Sequence, residues 1–174
     1  MFMQDAFLSN RILFMSKNTP LDRIDFDILR HLRDDARLSN KELAARIGLA
    51  PSTCLGRVRR LVEQGALVGF HAQLDPASAE VGLQALMLVA LTQHSRDRLR
   101  TFQDHVASLE EVVQAFHVSG KYDFVLHVAV RNSDHLRDLA LDSFTTREEV
   151  AQIETSLVFG RLDAGGMPVY GGRD

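Results

Sequence analysis

The sequence has no tryptophan, one cysteine and four prolines among 174 residues. One cysteine excludes an internal disulfide and a zinc site built on cysteines, and it fits a reducing, cytoplasmic compartment. Cys54 itself reads as a small core residue rather than a reactive thiol. No apolar run approaches the roughly 18 residues of a membrane span, so no membrane partner is expected. A secretory leader is not expected either, because Asp5, Asn10 and Arg11 break the apolar patches of the first 20 residues. Residues 1–20 read as a disordered arm or a mis-assigned start, with Met15 a plausible natural beginning and 1–14 an over-extension. Catalytic signatures are missing too: there is no phosphate-binding glycine loop, GxGxxG, HExxH or nucleophile elbow. The seven histidines show no ligand spacing, and His117 and His127, in facing strands, suit edge or buried positions better than a metal pair. No catalytic residue, metal or cofactor is therefore expected, and no enzyme.

What remains is an ordinary globular composition, 45% hydrophobic and 25% charged, with a net charge of −3. That small negative charge argues weakly against a nucleic-acid partner. It is unevenly spread. Residues 1–76 carry 11 Lys+Arg against 9 Asp+Glu, while 77–174 carry 9 against 14. The basic half suits a neighbourhood of phosphates and the acidic half does not.

The basic half holds three short helical patterns. In DRIDFDILRHLRD (22–34), Ile24, Ile28, Leu29 and Leu32 share one face, with Asp22 and Asp25 in the first turn, where acids favour the helix dipole. Ser39 and Glu42 read as a capping box that opens a second helix, with Leu43, Ala44 and Ile47 inward. Gly48 supplies a left-handed turn, and Pro51 suits the first turn of a third helix. Cys54, Leu55, Val58, Leu61 and Val62 give that helix its apolar stripe, and Gly65 ends it. Ser52, Thr53, Arg57, Arg59 and Arg60 are left for the exposed side, with Lys41 on the helix before. A solvated basic face is the default reading of such a side. Small polar residues at the tip and arginines beyond also suit a helix in a DNA major groove. Residues 21–65 thus read as a helix-turn-helix domain. Residues 66–82, ending at Asp75-Pro76, read as a linker strand or short hairpin.

From residue 83 the pattern changes. Strand-like runs at 83–92, 111–120, 122–130 and 150–160 alternate with helical runs at 96–109 and 133–144, the last opened by Ser133 as cap. The order β-α-β-β-α-β over 83–160 is a ferredoxin-like split βαβ. The fold class is α+β. Two helices cover one face of such a sheet, and the other face, apolar in its strands, is expected to pair with a second copy. Residues 119–123 form a tight hairpin. Gly120 opens backbone N–H groups to a small ligand, Asp123 could hold an α-ammonium group, and Tyr122 could wall the site. An ordinary turn would use the same residues. The Gly-rich end, 161–174, reads as a flexible tail.

Four stretches carry a resemblance: LDRIDFDILRHLRDDARLSNKELAARIGL, PSTCLGRVRRLVEQGALVGFHAQLDP, HVSGKYDF and IETSLVF. Over residues 21–160 the chain resembles the leucine-responsive regulator/AsnC (Lrp/AsnC) family of transcription regulators. The resemblance implies an N-terminal (winged) helix-turn-helix domain that binds double-stranded operator DNA. It implies a C-terminal effector and oligomerisation domain, dimers that assemble further into tetramers or octamers, and an amino acid or related metabolite as effector. It further implies an effector site at the turn of Gly120, Tyr122 and Asp123, near a subunit interface and lined by Thr155. The sequence departs from the family at Arg147-Glu148-Glu149, where a Pro-Gly or similar turn is common. A competing expectation is a metabolite-binding regulator of an enzyme system that does not bind DNA; a third is a general DNA organiser.

Overall fold

The structure is a computed structural model that describes residues 20–92, 95–162 and 165–172. The readings of residues 1–14 lie outside this range. The described chain forms two compact units, one reaching to Ala72 and rejoined by the C-terminal residues, the other spanning 73–162.

The first unit has three helices: α1 (Arg23–Asp34), α2 (Asn40–Arg46) and α3 (Pro51–Glu63). Asp22 lies outside the first turn of α1 and caps it. Its side chain accepts from Asp25 N–H, and the Asp25 carboxylate accepts in return from Asp22 N–H. Ser39 and Glu42 form the same reciprocal box on α2. Gly48 and Gly65 turn the chain at φ +69° and +72°, values that cost most L-residues roughly 1–2 kcal/mol. Ile28, Leu32, Leu43, Ala44, Cys54 and Leu61 form the buried core. Leu55 and Val62, expected in that core, are 39% and 47% exposed. The geometry of the helix explains the correction. Cys54 and Leu61 stand two turns apart on one line, and each next residue is rotated by about 100° away from it.

Residues 66–82 contain no strand, contrary to expectation. A strand needs a ladder of neighbours, and the segment makes only isolated backbone bonds to other elements, such as Gly82 N–H to Val130 O at 3.1 Å. The Asp75-Pro76 turn does form, closed by Ser78 N–H and Oγ on the Asp75 carboxylate at 2.8 and 2.7 Å.

The second unit is a sheet ordered β2-β3-β1-β4 and antiparallel at every pairing, with β1 Leu83–Leu91, β2 Val112–His117, β3 Phe124–Val130 and β4 Val150–Leu157. α4 (Arg96–Ser108) and α5 (Ser133–Ala140) cover one face. The cap of α5 is Asn132 rather than Ser133, because the Asn132 Oδ1 accepts from His135 N–H at 2.9 Å. After α5 a wider, π-helical turn at Leu141–Thr145 sinks Phe144 into the core beside Phe102, which in turn meets Phe124. Period-two burial along β1 and β3 puts Ala85, Met87, Val89, Phe124, Leu126 and Val128 under the helices. Leu86, Leu88, Ala90, Val125 and Ala129 therefore face the other way. Arg147 and Glu149 close the turn before β4 with an ion pair of 2.5 Å, in place of a Pro-Gly turn.

Gly171 and Gly172, in the stretch read as a tail, lie against α1. The Arg30 guanidinium donates to Gly171 O, and the Phe26 ring covers Gly171 and Gly172 so closely that a Cβ at 171 would run into it. Gly171→Ala should lower the thermal unfolding midpoint of the full chain, at an overpacking cost of roughly 1–3 kcal/mol. A midpoint equal to wild type by circular dichroism would show that the contact is not kept in solution.

Candidate nucleic-acid interface and effector turn

α2 and α3 are joined tip to tip: Asn40 Nδ2 donates to Pro51 O at 2.7 Å. Ala50, the N-cap of α3, contributes no side-chain cap, and Ser52 and Thr53 beside it are exposed. The first-turn amides of α3 therefore have no side-chain acceptor and suit an anion. Lys41 and Arg59 are exposed, and neither makes an ion pair among the described residues.

Arg57 and Arg60 are differently placed. Asp25 is fully buried, and its two oxygens hold both arginines: Oδ1 meets Arg57 Nη1 at 2.8 Å, and Oδ2 meets Arg60 Nη2 at 2.6 Å. Asp22 Oδ2 takes the same Arg57 nitrogen at 2.7 Å. Arg57, expected on the outward, DNA-facing side, is instead turned toward α1. Its side chain is only 22% exposed, because Arg57 stands three residues after Cys54 and four before Leu61, on the inward edge of α3. Hydrogen bonds it donates to the Asp22 and Asp25 carboxylates hold its proton more firmly than usual. The Asp22 carboxyl, bonded by Asp25 N–H and then by Arg57, sits below the ordinary carboxylate range. Asp25 was not singled out in the sequence as a functional residue, although its signal was there. It stands three residues before Ile28 and seven before Leu32, on the core line of α1.

The effector turn is more dispersed than expected. Gly120 has φ +119° and is exposed. Asp123 is buried; one of its carboxylate oxygens accepts from Leu91 N–H at 2.7 Å and so braces β1. Tyr122 reaches across to Glu154 of β4 and receives a hydrogen bond from Lys121 Nζ at 2.8 Å. Thr155 follows Glu154 on β4 and points to the opposite side of that strand, opposite Met87 of the helix-covered face. Glu154 and Lys121 are the residues that sequence reading missed here. His117 and His127 are separated by the sheet: the first stacks on buried Phe124, while the second, on the uncovered face, binds Gln84 Oε1 at 2.9 Å.

A capped three-helix unit with an open anion-accepting tip, joined to a ferredoxin-like unit, defines a DNA-binding protein with an attached regulatory domain. Residues 21–68 match the winged helix-turn-helix DNA-binding family, and residues 84–167 match the Lrp/AsnC ligand-binding domain. The chain is 43% identical over 142 residues to the HTH-type transcriptional regulator AldR of Mycolicibacterium smegmatis, covering 82% of this chain and 83% of that one. It is 39% identical over 127 residues to the leucine-responsive regulatory protein of Escherichia coli K12, covering 71% and 77%. Among solved structures, a transcriptional regulator of Neisseria meningitidis in complex with L-Met superposes with a TM-score of 0.77 at 29% identity, covering 87% of this chain and 98% of that one. The chain belongs to the Lrp/AsnC family of transcription regulators and binds DNA through its helix-turn-helix.

Because the folded-state pKa of Asp22 is depressed, its contribution to stability is present above the ordinary carboxylate range and is lost as pH falls through the lower folded value. Wild type should therefore lose stability on acidification below about pH 4 more steeply than Asp22→Asn, as read from urea midpoints across pH. Parallel pH profiles for the two proteins would contradict this role.

Proposed function

We propose that this regulator is a cytoplasmic, non-catalytic protein that contacts operator DNA through Ser52, Thr53, Arg59 and Lys41. The observation that carries this reading is the exposed N-terminus of α3, which no side chain caps, with Arg59 farther along the helix making no ion pair among the described residues. Ser52 and Thr53 suit base edges and phosphates near the helix tip, and Arg59 suits a guanine or a phosphate. Arg57 belongs to the brace between α1 and α3. Arg59→Ala should weaken binding to the duplex upstream of the protein's own gene by roughly 1–3 kcal/mol, with the unfolding midpoint unchanged. Arg57→Ala should instead lower the midpoint, because it strips a charged partner from buried Asp25 at about 1.5–3 kcal/mol. Fluorescence anisotropy and thermal melts on the same samples check both. An Arg59→Ala protein that binds as tightly as wild type would remove Arg59 from the contact set.

The same reading makes the protein a homodimer or a higher oligomer that answers to an amino acid. Leu86 and Phe116 are 38% and 51% exposed on the uncovered sheet face, with Leu88, Ala90, Val125 and Ala129 beside them, and this apolar area suits a second copy. The Neisseria relative's complex with L-Met supports an amino-acid effector. Near the turn, Gly120, Lys121, Tyr122 and Glu154 offer the accessible polar groups for one, with Thr155 on the other side of β4. A thermal-shift screen across the amino acids should find one that stabilises the chain, by about 2.7 kcal/mol at a hundredfold excess over Kd. No shift with any of them would remove the amino-acid reading while leaving DNA binding intact.

A further inference from the structure

Three arginines on α3, all free to reach DNA, would make an indiscriminate phosphate binder. Sequence-independent affinity grows with each phosphate neutralised, and each adds about 0.9 to the slope of log K against log salt. Among the described residues only one of the three, Arg59, makes no ion pair. Arg57 and Arg60, one turn apart, are both held by the single buried carboxylate of Asp25, and Arg57 also by Asp22. An ion cluster of this kind is a poor way merely to hold two helices together. Apolar side chains of similar volume often do so as well or better, because no charge has to leave water. Arg60 is still 45% exposed, so its guanidinium lies at the surface and is restrained by Asp25 rather than sealed away.

We propose that Asp25, assisted by Asp22, is a specificity-determining positioning residue. It withholds Arg57 and Arg60 from DNA phosphates and so holds down sequence-independent binding, leaving the tip of α3 to discriminate. The proposal rests on the DNA-binding reading of α3 and acts through the two arginines, not by contact of Asp25 with DNA.

The test uses the full chain, a duplex from upstream of its own gene and a scrambled duplex of equal length, titrated by anisotropy over a range of salt. Asp25→Asn should bind the scrambled duplex more tightly at low salt and narrow the preference for the upstream sequence. Its salt slope should steepen by about 1–2, which makes affinity fall up to about tenfold further between 50 and 200 mM salt. Adding Arg57→Gln and Arg60→Gln to that variant should return the slope to the wild-type value. A merely structural role predicts weaker binding with the slope unmoved, and a natively folded Asp25→Asn with the wild-type slope overturns the proposal. Should Asp25→Asn not fold, Arg60→Gln alone decides. The proposal expects its slope to match wild type, and a slope shallower by about 1 overturns it. Wild type that binds neither duplex would instead overturn the DNA-binding reading itself.

Discussion

The helical unit depends on one buried carboxylate. Asp25 is fully buried and held by two guanidinium groups, while its own oxygen also accepts from the Asp22 amide. Each of these bonds fixes something different. The cap starts α1 at Arg23, the Arg57 bond sets α3 against α1, and the Arg60 bond pins the outer edge of α3. A buried charge left without a partner costs several kcal/mol, so the three groups hold one another in a single arrangement. The apolar core of Ile28, Leu32, Leu43, Cys54 and Leu61 supplies the driving force, but it is non-directional and leaves the helices free to slide. The ion cluster removes that freedom.

The second unit solves its own packing differently. Phe102, Phe124 and Phe144 fill the space between helices and sheet with large rings in tilted contact. The π-helical turn after α5 lets Phe144 reach that centre. Polar groups at the edge of this core are braced by backbone: Asp123 on Leu91, and His105 on Ser143 O at 2.7 Å. Only one face of the sheet is finished in this way.

Local signals made most of the fold legible in the sequence. The Ser39–Glu42 box, Gly48, Pro51 and Gly65 act within four residues of themselves, and each element they mark is present. Period-two and period-3.6 patterns marked the strands and helices of the second unit to within a few residues. What failed was non-local or rested on one-residue distinctions. Residues 66–82 alternate like a strand but form no strand among the described residues. Asn132 and Ser133 are adjacent and both competent caps, and only the geometry chooses. The fit of the C-terminal glycines over Phe26 depends on contacts more than a hundred residues apart in sequence. The placement of Arg57 differs from the expectation for another reason. Charge placed it outside, while its spacing from Cys54 and Leu61 put it inside, and spacing wins when a buried acid waits across the helix interface.

The charge pattern then takes on another meaning. Residues 1–76 carry a small basic excess, but much of the positive charge on α3 is already neutralised within its own unit. With Arg59 the one α3 arginine outside an ion pair among the described residues, α3 gains less from phosphates alone, since that gain scales with the number of contacts made. Tight binding by such a unit has to come from shape, from base edges and from joining several copies, because linked units multiply their affinities without any new contact. The apolar, uncovered sheet face and the charge-poor helix therefore belong to one design. The less a single copy can hold DNA, the more its occupancy depends on assembly, and the more an event in the second unit can control it.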